Sequence, residues 1–124
     1  MSPFALLIRT FREARNLRQN EAAELLGYEK SYLCALETNN KGTPQAGFIQ
    51  LLIKRYALNN EEIERLMDSL RRSKRRYLVP LKATCEEYDL FYKLNNQVGK
   101  LSPTQISLMQ IALDLEVHDL EHHN

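Results

Sequence analysis

Between Gln19 and Leu36 three residues stand at the offsets that a close crossing of two short helices requires: Ala23, Gly27 four places later and Leu33 six beyond that. Helices that cross tightly need a small side chain at the inward position of the first, and Ala23 supplies it. The turn between them needs a residue that tolerates positive φ, and Gly27 supplies that. The second helix needs an aliphatic anchor, which is Leu33. Such an Ala-x3-Gly-x5-Leu spacing predicts one helix over Gln19–Leu26, with Ala22, Ala23 and Leu26 inward, and a second over 29–38, with Leu33 and Leu36 inward.

The flanking sequence supplies three more helices. Phe4, Leu7, Ile8 and Phe11 fall at i, i+3, i+4, i+7 and form one apolar stripe, ended by a turn at Asn16-Leu17-Arg18. After the loop-like Asn39-Asn40-Lys41-Gly42-Thr43-Pro44, a fourth helix is expected over 45–56, burying Phe48, Leu51 and Leu52. Asn59 and Glu62 have the spacing of a capping pair and open a fifth, whose face is Ile63, Leu66, Met67 and Leu70 and whose end runs toward the basic stretch 71–76. Pro80 argues against helix through 77–83, which reads as a linker. Beyond it, Thr84-Cys85-Glu86-Glu87 and Ser102-Pro103-Thr104-Gln105 are two capping boxes with Gly99 as a stop between them. The expectation is an all-α chain: a five-helix domain over 1–76, a linker over 77–83 and a C-terminal helical hairpin over 84–124.

Charge divides along the same line. Residues 1–82 carry fifteen Lys or Arg against nine Asp or Glu, a balance of +6, while 83–124 carry two against seven, a balance of −5. A basic front half points to a polyanionic partner. No apolar run approaches the ~20 residues of a membrane span, and Arg9 interrupts the N-terminal apolar stretch too early for a signal peptide, so the expected compartment is cytoplasmic. Cys34 and Cys85 fit no zinc or redox spacing and are expected as free thiols. His118, His122 and His123 all lie at the C-terminal end, no Gly-rich phosphate loop is present, and no nucleophile arrangement is visible. Neither an enzyme nor a cofactor or metal site is expected.

The segment 19–36 closely resembles the helix-turn-helix of the Cro and phage-repressor type, the XRE family of regulators. Arg12, Leu17, Gln19, Ala23, Gly27, Ser31, Leu33, Leu36 and Glu37 fall in the family's register, and the likeness extends over residues 3–70. It implies a lambda-repressor-like five-helix domain that binds double-stranded DNA and represses transcription. It also implies roles. Lys30 and Ser31 open the recognition helix, with Lys30 placed to donate to guanine O6 or N7 or else to touch phosphate. Cys34 and Ala35, one turn on, are small and suit a thymine methyl. Glu29 departs from the usual Ser or Thr cap; its carboxylate suits the helix dipole but lies near phosphate unless it accepts from a cytosine amino group. Gln19 would contact phosphate at a helix N-terminus, joined by Arg18, Lys41 and Thr43. Tyr32, with Tyr28, either hydrogen-bonds phosphate or pads the turn. Arg12 and Glu37 match a family ion pair, which either orients Arg12 toward the DNA backbone or is a plain scaffold bridge.

The rear hairpin carries more apolar surface than one partner helix can cover. Ile106, Met109, Leu113, Val117 and Leu120 make one stripe of its second helix, and Leu108, Ile111 and Leu115 another. Tyr88 and Phe91 lie on the first helix. A homodimer with Tyr88, Phe91, Leu108, Ile111 and Leu115 at its interface, binding a palindromic operator, is the economical reading; packing onto the chain's own core is the alternative. A second function keeps the DNA contact and makes the hairpin the dock for a protein partner, as in an operon-autoregulating antitoxin. A third is an adaptor that has lost DNA binding.

Overall fold

The computed structural model describes residues 1–38 and 44–115. Among these residues the regular secondary structure is all helix, with seven helices and no strand. The chain divides into two compact units, Met1–Tyr77 and Leu78–Asn124.

The first unit holds five helices: α1 (Pro3–Ala14), α2 (Gln19–Leu26), α3 (Lys30–Glu37), α4 (Phe48–Arg55) and α5 (Asn60–Arg72). Their apolar stripes converge on one core, to which α1 gives Phe4, Ile8 and Phe11, α2 gives Ala22, Ala23 and Leu26, and α3 gives Leu33 and Leu36. Phe48 and Leu52 of α4 and Leu66 of α5 complete it. Each fully buried Phe or Leu contributes roughly 1.5–3 kcal/mol, so this core carries the unit's stability.

Polar groups settle the helix ends. Ser2 caps α1 by accepting the Ala5 N–H at 3.1 Å, with Pro3 at the first helical position. Asn59 accepts the Glu62 N–H at 2.8 Å while Glu62 accepts the Asn59 N–H at 3.1 Å, a complete capping box for α5. The α5 helix stops at Arg72 and does not run on through the basic stretch. Ser73 ends it: its hydroxyl donates to the Ser69 carbonyl at 2.6 Å and accepts the Phe4 N–H at 2.9 Å, so one side chain ties the end of α5 to the first turn of α1.

Arg15 is a second tie. Its guanidinium donates to the carbonyls of Phe11 and Tyr56 and to the Glu62 carboxylate, and lies over the Tyr56 ring at 5.1 Å. It thereby joins the end of α1, the end of α4 and the start of α5. Burial pushes the Tyr56 hydroxyl up to about 12, with the Glu37 charge adding to the effect, so Tyr56 stays neutral at any ordinary pH.

Helix α4 starts three residues later than the periodicity suggests. Gly47 takes φ +86° and turns the chain into the helix only at Phe48, and Leu51 is half-buried instead of fully covered.

The second unit contains α6 (Cys85–Gln97) and α7 (Pro103–Leu113). Both predicted capping boxes form: Thr84 with Glu87 at 3.1 and 2.8 Å, Ser102 with Gln105 at 3.1 and 2.9 Å. Neither helix buries a single residue. Of the apolar stripes expected on the last helix, Val117 and Leu120 lie outside the described residues, and Leu115 follows the end of α7.

Candidate nucleic-acid interface

The turn between α2 and α3 is built as the spacing requires. Gly27 has φ +80°, its N–H bonds the Ala23 carbonyl at 2.9 Å, and the Tyr28 N–H bonds the same carbonyl at 2.9 Å. Ala23 is buried directly before this reversal and Leu33 anchors the second helix in the core. Tyr28 stacks on Tyr32 with ring centroids 5.0 Å apart, and both rings lean on Phe48 of α4 at 5.2 and 5.7 Å. That aromatic cluster fixes the rotation of α3 about its axis, which decides the side chains it presents outward.

Those side chains are the ones singled out at the start of the recognition helix. Glu29, Lys30 and Ser31 are exposed, and Cys34 and Ala35, one turn further, are half-exposed. Glu29 is the N-cap residue of α3 with extended backbone, and its side chain makes no capping hydrogen bond. The first turn of α3 therefore presents a lysine ammonium, a hydroxyl and a carboxylate next to a helix N-terminus. The two cysteines, Cys34 and Cys85, are free thiols.

Behind this surface lies a buried ionic knot. The Glu37 carboxylate, 2% exposed, accepts from Arg12 Nε at 2.8 Å and from Arg12 Nη2 at 3.0 Å, a bidentate pair. Gln19 Nε2 donates to the same carboxylate at 3.1 Å, and Arg12 Nη1 donates to the Leu17 carbonyl at 2.8 Å. One acid thus holds together the end of α1, the start of α2 and the end of α3. Its hydrogen bonds hold the Arg12 guanidinium above its ordinary pKa despite partial burial. Removing either ion would strand the other in the interior, at a cost of about 3–5 kcal/mol.

The expected phosphate contacts are distributed unevenly. Arg18 is exposed at the N-cap of α2, where its backbone N–H donates to Glu21 Oε1 at 2.8 Å. Gln19 is half-buried at the first position of α2, with one amide hydrogen given to Glu37 and the other not needed for that bond. Arg12 is mostly covered and uses its donors on Glu37 and Leu17. Tyr32 is buried in the aromatic cluster, where its hydroxyl accepts the Gln45 N–H and secures the chain as it returns toward α4. Lys41 and Thr43 lie outside the described residues. Sequence reasoning did not single out Arg55, whose Nη1 donates to the Leu25 carbonyl at 3.0 Å and closes the end of α2; an arginine in the last turn of a predicted helix carries no local signal of that partner.

In the second unit, Tyr88 and Phe91 of α6 and Leu108, Ile111 and Leu115 in or just after α7 are all exposed. Leu90, Phe91, Leu94, Ile106, Met109 and Leu113 line an open apolar cavity of about 410 Å³ between the two helices.

A family model for a helix-turn-helix domain matches residues 3–66, which takes in α1 to α4 and the first half of α5. No curated protein and no solved structure matches the chain.

Proposed function

The chain belongs to the helix-turn-helix domain family, a DNA-binding one, and from that premise we propose that it is a sequence-specific transcriptional regulator of the XRE type. It acts as a repressor, as a homodimer on a palindromic operator in the cytoplasm, and it catalyses no reaction. The observation that carries the reading is the outward face of α3. The Tyr28–Tyr32–Phe48 cluster and the Arg12–Glu37–Gln19 knot hold the helix rigidly, while its exposed first turn offers Lys30 and Ser31.

Lys30 reads guanine in the major groove, with Ser31, Cys34 and Ala35 lining the contact. Glu29 either accepts from a cytosine amino group or weakens the approach to phosphate. Arg18 and Gln19, at the positive end of α2, position the backbone, with Lys41 and Thr43 as further phosphate contacts. Arg12 orients this end of α2 through Glu37. The packing of Tyr32 favours the padding role for that residue.

The test is selection of bound duplexes from a random pool with the full chain, repeated with Lys30→Ala and Gln19→Ala. Lys30→Ala should change the preferred base at one position of each half-site, at roughly 1–3 kcal/mol of lost discrimination. Gln19→Ala should weaken all sequences alike. An unchanged preference for Lys30→Ala removes it from base reading, and absence of any binding by the parent chain refutes the DNA function.

A second reading is favoured by the open apolar faces of α6 and α7: the DNA contact is kept, and the hairpin docks a protein partner whose operon the chain regulates.

A further inference from the structure

We propose that the α6–α7 hairpin is half of an interface, completed by the hairpin of a second copy of this chain into a four-helix bundle with α7 at its centre. The proposal rests on the dimer named above and says where that dimer is made.

The starting observation is that the two helices leave the apolar grooves between them open. Between its helices lies an apolar groove of about 410 Å³ that is open to solvent. Two helices joined by a short turn ordinarily interdigitate along their facing stripes. Here Leu90 and Leu94 of α6 and Met109 of α7 line this groove and a second opening of about 270 Å³. Apolar side chains from elsewhere are needed to close both.

The outer surface points the same way. Leu108, Ile111 and Leu113 of α7 are 62%, 63% and 79% exposed, on an uncharged helix whose apolar side chains are spread around its axis and interrupted only by Thr104, Gln105, Ser107 and Gln110. A helix with apolar side chains on more than one face needs more cover than one neighbour supplies. Ten large hydrophobics among the hairpin's described residues are 41–79% exposed; with on the order of 100 Å² of each uncovered they present about 1,000 Å² per copy, spread over the faces of both helices, against the ~800 Å² per partner of a standard stable interface.

Charge selects the occupant. Across its eleven residues, Pro103–Leu113, α7 has no Asp, Glu, Lys or Arg. Three of the hairpin's seven acids sit in the first half of α6, at Glu86, Glu87 and Asp89, and the other four, from Asp114 on, follow α7 in the sequence. A basic partner would find nothing to pair with on α7. A second α7 meets the first without like-charge repulsion and without a stranded ion, and a two-fold arrangement keeps the acidic starts of α6 at the rim.

The experiment measures the mass of the full chain by sedimentation from about 1 to about 100 μM, a range that brackets dimers of this interface size, alongside Leu108→Glu and Ile111→Glu. Both positions are exposed within the chain, so neither substitution disturbs the fold of a monomer; retained helical circular dichroism checks this. The expected result is a dimer for the parent chain and at least a hundredfold weaker association for each variant, because each pair of copies would bury two unpaired carboxylates. In parallel, the variants should bind a duplex with one half-site as the parent does and lose its advantage on two. A parent chain that is monomeric throughout overturns the pairing and leaves the faces to a different protein. So does a monomer whose first unit melts earlier on Ile111→Glu, since that places the cover within the chain. Variants that remain dimeric and still prefer paired half-sites overturn the hairpin interface while leaving the DNA function standing. Dimers abolished by the variants, in a chain that binds no duplex, leave the interface standing and overturn the DNA function.

Discussion

Asn16, Gly27 and Ala57 adopt the same left-handed backbone after α1, α2 and α4, at φ +56°, +80° and +50°. In each case the following N–H reaches back five residues, from Leu17 to Arg12, Tyr28 to Ala23 and Leu58 to Ile53. Only at position 27 is the residue free of the penalty for that conformation, roughly 1–2 kcal/mol for an L side chain. A Cβ at Gly27 would meet nothing within 4 Å, so Gly27→Ala should cost conformation alone. Offset by ~0.4–1 kcal/mol for a less flexible unfolded chain, the net loss is about 1 kcal/mol. Ala57→Gly should gain about as much. Urea midpoints at constant slope measure both; a loss well above ~3 kcal/mol for Gly27→Ala would mean the helices close on the turn more tightly than this geometry allows.

The same scale contains a pH effect. The Asn59 N–H and then Arg15 hold the Glu62 carboxyl below its ordinary value. A depressed folded pKa stabilises the protein above the unfolded value of about 4.3, and that contribution is lost as pH falls through the lower folded value. Unfolding free energy should therefore decline with acidification below about pH 4.3, and Glu62→Gln should flatten this part of the profile. An identical acid slope in the two proteins would exclude Glu62 as a source.

At the scale of the element, α3 is a helix of eight residues that opens on a residue poor at the job. Glu29 has the extended backbone of an N-cap but no capping hydrogen bond, whereas Ser2, Asn59, Thr84 and Ser102 all make theirs. Glu29→Ser should stabilise the first unit by about 1 kcal/mol and, by removing a carboxylate from the DNA side, strengthen binding to random duplex. If thermal stability rises while DNA affinity falls, Glu29 is a base-reading residue and its poor capping is the cost of that contact.

These caps explain what was legible in advance. A Ser, Thr or Asn followed three residues later by Glu or Gln states a helix start locally, and the starts at Asn59, Thr84 and Ser102 form where that pattern sets them. The end of α5 was not legible, because Ser73 stops the helix through Phe4, sixty-nine residues away. The late start of α4 was hidden for a similar reason: Gln45 has the composition of a helix, but its N–H is taken by Tyr32. For the interface, the exposure of Lys30 and Ser31 follows from the helix period alone. The burial of Tyr32 does not, since it depends on two partners, Tyr28 and Phe48, from outside α3.

On the scale of the whole molecule, what joins α5 to α6 would govern which operators the dimer proposed above can occupy. Residues 73–84 contain no helix, and at about 3.3 Å per residue such a stretch reaches up to ~40 Å. A continuous helix from the first unit into the bundle would demand a single separation and rotation of the half-sites. For that dimer a non-helical connector would make the second binding event a tethered one, governed by an effective concentration that persists as long as the linker can span the sites. The chain should therefore prefer half-sites one helical turn apart, about 34 Å, yet lose less than about tenfold in affinity when roughly five base pairs are inserted and the sites move to opposite faces of the duplex. Deleting residues 78–81, which include Pro80, should sharpen that preference by shortening the tether. Gel-shift titrations on a spacing series, with parent and deletion, provide the measurement. A loss of a hundredfold or more on half-turn insertion by the parent chain would show that the two units move as one body on DNA, and the permissive tether would be wrong.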